Sequence, residues 1–261
     1  MKYGMPTLVE FNSINETLVA ARDRGLDFVE VNMSFPDFQP SRLDGKGVRT
    51  LSRELGVSLT VHADEEMNPF DFNPKVSECY FEVMRDTIRA SKEIGASVIN
   101  LHLRRGVYVT LPEKVILLTD VYFEEYLTRV KKFIEMCERE IGDSDLIIAI
   151  ENVDSNPFTA SQLKALEYFM RSDKFALTLD TGHEACLSYK DSHVFKKYPE
   201  KLRHMHLHDA EGKKPHLPLG EGSLDIEGLI SEYPGERCLI EVKTVAGLDK
   251  SIEYLKNKGL M

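Results

Sequence analysis

The chain has 261 residues, of which 42% are hydrophobic, and its formal net charge is −10 at pH 7. A surface with this charge repels nucleic acid and anionic membranes at long range, which argues against a general polyanion-binding protein. Its cysteines form no CxxC pair, its N-terminus has no apolar signal core, and no apolar run is long enough to span a membrane, so we expect a cytoplasmic protein without a disulfide framework.

Short runs rich in β-branched residues alternate along the chain with amphipathic stretches. The runs predict strands at about 2–10, 27–33, 57–63, 97–103, 146–152, 175–180, 202–208 and 237–243. Apolar residues recur at helical spacing between them, for example in 15–24, 75–94, 121–141 and 159–171, and a last helix is predicted at 248–258. Eight strand–helix units over this length predict one (β/α)8 barrel domain spanning 1–261, with a doubly wound open sheet as the alternative.

Charged or imidazole side chains mark the C-terminal ends of six different predicted strands. They are His62, His102, Glu151, Asp180, His206 and Glu241. In a barrel these strand ends surround a single mouth, which is where barrel enzymes carry their active sites. The pattern therefore favours the barrel over the open sheet.

Seven of the eight histidines fall at or just after a predicted strand end, and His193 is the exception. A single histidine in such a place is more often a core or surface residue, but the whole set together with three carboxylates predicts a metal site. Nitrogen and oxygen ligands suit zinc, manganese, iron or cobalt. Side chains alternate along a strand, so His204, His206 and His208 share one face, and His204 is expected to be a core histidine bonded to Thr178 or Asn100.

Three further features have two interpretations each. The segment "DEEMNPFDFNP" at 64–74 predicts a lid loop, whose Phe70 and Phe72 either cover a ligand or pack on the rim. Glu30 and Asn32 share a face of the second strand and either reach the mouth or plug the barrel floor. The basic pairs 104–105 and 213–214 are either solvated surface or contacts for a phosphate.

Four segments together resemble a superfamily of divalent-metal-dependent barrels that includes sugar isomerases, sugar epimerases and endonuclease IV. They are "AIEN" (149–152), "LDTGHE" (179–184), "MHLHDAEGKKPHLPLGEG" (205–222) and "LIEVK" (239–243), and the matching order begins at "VHA" (61–63). The resemblance implies a divalent ion, manganese or zinc, held by Glu151, Asp180, His206 and Glu241. It also implies that Glu151 and Glu241 are the pair that moves a proton between adjacent carbons of a sugar.

The resemblance to endonuclease IV implies a second ion on His62 and His102, shared with Glu151. His183 and His216 match ligands of a third ion, but Lys214 stands where that site has an aspartate, and a cation there would repel the ion. We therefore expect one or two ions per chain. His183, His216 and Lys214 would then contact the substrate, as would two further residues near the mouth, His208 and Arg104.

The resemblance implies two competing reactions, because the same four ligands serve both. A metal-dependent isomerase or epimerase acting on a sugar or sugar phosphate is favoured by Lys214 and by the acidic composition. An endonuclease IV-like phosphodiesterase with two metals is the alternative, supported by His62 and His102. A barrel that binds metal and ligand without catalysis is a third alternative, against which the Glu151 and Glu241 pair argues. The expected partner is a small carbohydrate or sugar phosphate, with nucleic acid disfavoured, no membrane, and a homodimer left open.

Overall fold

The computed structural model describes residues 1–153, 155–232 and 235–261. Its strands are β1 (Lys2–Pro6), β2 (Phe28–Asn32), β3 (Ser58–His62), β4 (Val98–His102), β5 (Tyr108–Thr110), β6 (Val115–Leu117), β7 (Ile147–Glu151), β8 (Phe175–Asp180), β9 (Leu202–Leu207), β10 (Asp209–Glu211), β11 (Lys214–Leu217) and β12 (Arg237–Ile240). Its α-helices are α1 (Ile14–Asp23), α2 (Gly45–Leu55), α3 (Pro74–Ile94), α4 (Leu118–Val121), α5 (Phe123–Ile141), α6 (Ala160–Phe169), α7 (Thr181–Cys186), α8 (Ser192–Lys197), α9 (Ile226–Glu232) and α10 (Val245–Asn257).

Eight of these strands form a closed parallel barrel in the order β1-β12-β9-β8-β7-β4-β3-β2, with β2 pairing back to β1. This confirms the predicted (β/α)8 barrel and rules out the open sheet. Each predicted strand overlaps an observed one. The first strand ends at Pro6 and the last at Ile240, so Glu241 lies just past its strand, where the backbone leaves the barrel at the mouth.

Two antiparallel hairpins, β5–β6 and β10–β11, were not predicted from the sequence. Both lie in segments that follow barrel strands, β4 and β9, at the C-terminal end of the barrel. Their strands are three or four residues long and partly exposed. Such short strands bury too few side chains to produce a clear hydrophobic alternation in the sequence.

A side-chain cap at one end and a glycine at the other explain where α3 begins and ends. Asn73 caps the start of α3 by accepting from the N–H of Lys75. Gly95 ends this helix with φ of 80°, a left-handed conformation that glycine adopts at low cost. These local signals place α3 against the outer face of the barrel.

Phe70 belongs to the hydrophobic core and does not cover the mouth. It is 3% exposed and packs edge-on against three aromatic rings, those of Tyr126, Phe133 and Phe169, at centroid distances of 5.7, 5.3 and 6.2 Å. The lid interpretation is therefore wrong for this residue, because burial of its ring fixes the segment to α5 and α6. Phe72 is half-buried and contacts Tyr122.

Candidate active site and metal centre

The parallel register brings the predicted metal ligands to one level of the barrel. Asp180 pairs with His206 between β8 and β9, and His102 pairs with Glu151 between β4 and β7. As a result, one ligand atom from each of Glu151, Asp180, His206 and Glu241 lies within 4.8 Å of the others. The structure thus brings together all four residues predicted to hold the shared ion.

His206 is at the centre of this group. Its Nδ1 lies 2.9 Å from Oε2 of Glu241, 3.1 Å from Oε1 of Glu151 and 3.8 Å from Oδ2 of Asp180. Nδ1 and the Glu241 Oε2 are close, yet neither makes a well-aligned hydrogen bond. Burial lowers the pKa of His206, but the charges of Glu151 and other carboxylates outweigh it and raise that pKa well above its usual range.

The arrangement fits a divalent cation. One imidazole nitrogen and three carboxylates point to a common centre, and this buried negative charge calls for a positive counterpart. Nitrogen and oxygen donors of this kind suit zinc or manganese.

Two asparagines hold the ligand-bearing strand ends in place. The side chain of Asn152 accepts from the backbone N–H of Asp180 at 2.8 Å and donates to its carbonyl at 2.9 Å. Asn100 donates from Nδ2 to Oε2 of Glu151. The two bonds of Asn152 explain why "AIEN" ends in asparagine. They tie the end of β7 to the end of β8, where Asp180 precedes α7.

Glu30 lies below the ligands, within the barrel. Its Oε1 is 3.1 Å from Nε2 of His206, and its Oε2 accepts from Nε2 of His204 and from the hydroxyl of Thr60, both at 3.0 Å. His204 is therefore a buried core histidine as expected, but its partner is Glu30 and not Thr178 or Asn100. Burial would raise the pKa of Glu30, yet the neighbouring His206 and His204 lower it far below its usual range.

A second group shares Glu151 with the first. The Nε2 atoms of His62 and His102 lie 3.4 and 3.3 Å from Oε2 of Glu151. Nδ1 of His62 is 2.7 Å from the carbonyl of Ala63, which assigns a proton to Nδ1 and turns Nε2 toward Glu151. Burial lowers the pKa of His62, but its hydrogen bond to Glu151 prevails and raises it to about 9. The three residues predicted for a second ion are thus adjacent.

A third group contains His183, His208 and His216. The Nε2 atoms of His183 and His216 are 3.3 Å apart. Nδ1 of His208 accepts the backbone N–H of His216 at 2.7 Å, and its Nε2 lies 3.0 Å from Oδ1 of Asp180. Both ring nitrogens of His208 are therefore occupied, and the residue is fully buried beside Asp180. The expectation that His208 contacts a substrate is corrected here, because its ring does not face the mouth cavity.

The glycine of "DTGH" is explained by the same ring. A Cβ atom at Gly182 would lie 2.0 Å from Cε1 of His208. Only glycine lets α7 approach the His208 ring this closely. The N–H of His183 meanwhile donates to Oδ1 of Asp180 at 2.7 Å, so the first turn of α7 also orients this ligand.

The basic residues predicted for the site fall in different places. Arg104 lines the mouth and pairs with Glu66 at 2.8 Å. Lys214 is exposed near the turn of the β10–β11 hairpin, opposite Glu211 in the ladder, and does not line the mouth cavity. Lys243 lines that cavity instead, with its Nζ 3.1 Å from Oε1 of Glu241. Lys214 was expected beside the histidines, and this expectation is wrong because the hairpin carries the residue to the surface.

Asp209 is a structural residue that sequence reasoning missed. Its carboxylate accepts the backbone N–H groups of Gly220 and Gly222 at 2.9 Å and of Leu224 at 3.0 Å. A Cβ at Gly222 would lie 2.3 Å from the Oδ1 of this carboxylate. The signal available in the sequence was the glycine-rich turn "LGEG" at 219–222, whose backbone N–H groups need acceptors when the turn is buried.

The ligand groups open into a mouth cavity of about 180 Å³, lined by His62, His102, His183, His216, Glu241 and Lys243 among others. A cavity of about 330 Å³ adjoins it on the side of Arg104. Together they offer space for a small polar ligand next to the carboxylates. Within the described residues, no helix is both long and apolar enough to cross a membrane.

Known proteins resemble the chain over nearly its whole length. It is 27% identical over 268 residues to L-ribulose-5-phosphate 3-epimerase UlaE of Shigella flexneri serotype 5b (strain 8401), covering 92% of this chain and 86% of that protein. It is 24% identical to the uncharacterized protein MJ1311 of Methanocaldococcus jannaschii, covering 98% and 88%.

Solved structures share the fold at low sequence identity. A D-tagatose 3-epimerase-like protein superposes with a TM-score of 0.75 at 22% identity, covering 100% of this chain and 98% of that one. An L-ribulose 3-epimerase gives 0.74 at 18% identity, covering 99% and 94%. The IolI protein, solved with a zinc atom, gives 0.72 at 14% identity, covering 100% and 97%.

The family model described as xylose isomerase-like TIM barrel matches residues 18–258. This match includes all the ligand groups described above and seven of the eight barrel strands. The chain therefore belongs to the xylose isomerase-like TIM barrel family.

Proposed function

We propose that the chain is a divalent-metal-dependent sugar or sugar-phosphate isomerase/epimerase, and within that class a ketose 3-epimerase. The observation that supports this most directly is the convergence of Glu151, Asp180, His206 and Glu241 at the mouth of the barrel. Relatives over most of the chain are named as epimerases of this kind, which supports a sugar as the substrate.

The proposed cofactor is manganese or zinc, held by the same four residues. When bound, the cation polarises the sugar oxygens and lowers the barrier to loss of a proton from the adjacent carbon. The remaining chemistry belongs to Glu151 and Glu241 as acid–base residues.

Their positions suit the inversion of a carbon centre. Glu151 ends β7 and Glu241 follows β12, and in the barrel order these strands are separated by β8 and β9. The two carboxylates therefore approach the centre from different sides. One can remove a proton from one face of a carbon, and the other can deliver a proton to the opposite face. His183 and His216 line the cavity above them and are proposed to hydrogen-bond sugar hydroxyls.

The test is epimerisation in D₂O. Purified chain loaded with Mn²⁺ or Zn²⁺ is incubated with ketopentoses, ketohexoses and their phosphates, and products are followed by NMR. We expect an epimer that carries deuterium at the inverted carbon, because the proton passes through a carboxylate that exchanges with solvent. Absence of both epimer and exchange with every sugar would refute the proposal.

A metal-dependent phosphodiesterase is the second candidate. The cluster of His62 and His102 with Glu151 favours it, since two ions that share a carboxylate can clamp a phosphate. Cleavage of duplex DNA containing an abasic site, in the same metal-loaded protein, is the discriminating assay. Nicking at a rate above that of any sugar turnover would move the assignment to this class.

A further inference from the structure

We propose that the cavity around Arg105 is a binding subsite for the phosphate group of a phosphorylated sugar. This rests on the proposed function, because it names the substrate class of the same active site. The inference depends on the position of the cavity, on how Arg105 is held, and on the charges around it.

The cavity adjoins the mouth. It measures about 330 Å³ and shares four lining residues with the mouth cavity, namely Glu66, Arg104, Val153 and Ser155. A phosphate in this cavity would therefore lie next to a sugar that contacts the carboxylates.

Arg105 is held in a fixed orientation inside this cavity. Its guanidinium carbon lies 4.5 Å from the ring centroid of Tyr108, and its Nη1 donates to Oδ1 of Asn156 at 2.6 Å. Gly106, between the arginine and the tyrosine, has φ of 77°, which lets the chain turn back and stack the two side chains. A guanidinium fixed in this way loses little further conformational entropy when it binds an anion.

The segment that carries Arg105 is itself anchored. Gln162 of α6 donates from its side chain to the backbone carbonyl of Leu103, and it also lines the cavity. The exit of β4 is thereby tied to α6, and the position of the arginine is set by the barrel framework.

Among the described residues, the partners of the Arg105 guanidinium are neutral, whereas Arg104 is bound to a carboxylate. Arg104 is paired with Glu66 at 2.8 Å. Over residues 1–153, 155–232 and 235–261, Arg105 has no carboxylate partner. A guanidinium that stacks on an aromatic ring and donates to a neutral amide beside an active site keeps donors with which it can bind an anionic group. The planar guanidinium can donate two parallel hydrogen bonds to a phosphate. Ser155 and Asn156 also line the cavity and supply neutral donors beside the arginine.

The experiment compares Arg105→Gln, Arg105→Lys and the wild type, all loaded with metal. Ketopentoses and ketohexoses are assayed with and without a terminal phosphate, and each protein is reported as its ratio of kcat/KM for the phosphorylated over the unphosphorylated sugar. Arg171→Gln is the matched control, because Arg171 stacks on Tyr168 in the same manner, at 4.3 Å, outside the cavity.

We expect Arg105→Gln to lower this ratio by about 10- to 100-fold, the usual effect of losing a charge-assisted contact to a phosphate. Arg105→Lys keeps the positive charge but loses the planar pair of donors. Its ratio should therefore lie between those of the wild type and Arg105→Gln. Arg171→Gln should match the wild type. If Arg105→Gln lowers kcat/KM by the same factor for both kinds of sugar, the subsite is wrong.

Binding of inorganic phosphate, measured by calorimetry on the same proteins, separates this inference from the proposed function. If no sugar is turned over, the proposed function fails, yet weaker phosphate binding by Arg105→Gln than by Arg171→Gln would still support the subsite. Equal phosphate affinities would overturn it. A ketose that carries a carboxylate, turned over better than any phosphorylated one in an Arg105-dependent manner, would also overturn the assignment to phosphate. Circular dichroism verifies folding, and Arg105→Lys keeps the test valid if the glutamine variant does not fold.

Discussion

Glu30 and His206 are in contact at 3.1 Å, from Oε1 of the carboxylate to Nε2 of the imidazole. The other ring nitrogen, Nδ1, faces Glu151 and Glu241. Neither ring nitrogen of His206 makes a well-aligned hydrogen bond in this structure. If His206 holds the proposed cation through Nδ1, the carboxylate behind Nε2 would favour the tautomer that leaves Nδ1 free and would increase the basicity of the ring.

Replacement of Glu30 by glutamine should weaken metal binding by about 10- to 100-fold, because the acceptor charge is lost while side-chain volume is kept. Competition with a coloured chelator measures the dissociation constant. Glu54→Gln, an exposed change on α2, is the control. Equal affinities in all three proteins would show that Glu30 has only a packing role.

Glu241→Gln should lower kcat by about 10²- to 10⁴-fold, the typical contribution of a general acid or base. The backbone fold should remain, since Glu241 follows the last residue of β12 and lies outside the hydrophobic core. Steady-state epimerisation gives the rate, and elemental analysis gives the metal content. A variant with full metal content and full turnover would remove Glu241 from the mechanism.

His102→Ala should lower the zinc content at saturation by about one ion per chain and leave the four-ligand site filled. The reason is that His62 and His102 both face one oxygen of Glu151. Titration with zinc and with manganese, followed by elemental analysis, counts the ions. An unchanged count together with a higher KM would show that His102 contacts the substrate and holds no metal.

His62 should make the stability of the metal-free protein depend on pH. Its pKa rises from 6.5 to about 9 on folding, so the folded state binds the proton more tightly than the unfolded state. The stabilisation is complete below pH 6.5 and is lost as pH rises through about 9. Urea unfolding with a chelator present should show stability falling across this window. His62→Gln should have a smaller slope; an identical slope would contradict this assignment.

The barrel, and the meeting of the strand-end side chains at one mouth, could be predicted because parallel strands place their C-terminal residues at one edge. That these side chains hold a metal stays a prediction. Whether Glu30 lies at the mouth or at the floor of the barrel could not be predicted. Alternation along a strand identifies the face on which a side chain lies but not its depth in the barrel. Sequence reasoning misplaced Lys214, since short hairpins leave little periodic signal. Phe70 was misjudged for a related reason: an aromatic residue in an irregular segment does not reveal whether its ring faces solvent or core.

The β5–β6 hairpin gives this barrel a separable part. It is inserted between β4 and the helices that follow, and it begins at Tyr108, beside the Arg105 cavity. In the part of the chain that the structure describes, its two strands pair with each other and not with the barrel. The residues proposed to hold the cation belong to the barrel strand ends and are bonded to Asn152, Asn100 and His208. We therefore expect changes in the length or composition of the hairpin to alter which ligand fits without moving the proposed acid–base residues. Exchange of this one hairpin would then be enough to give related chains different substrates.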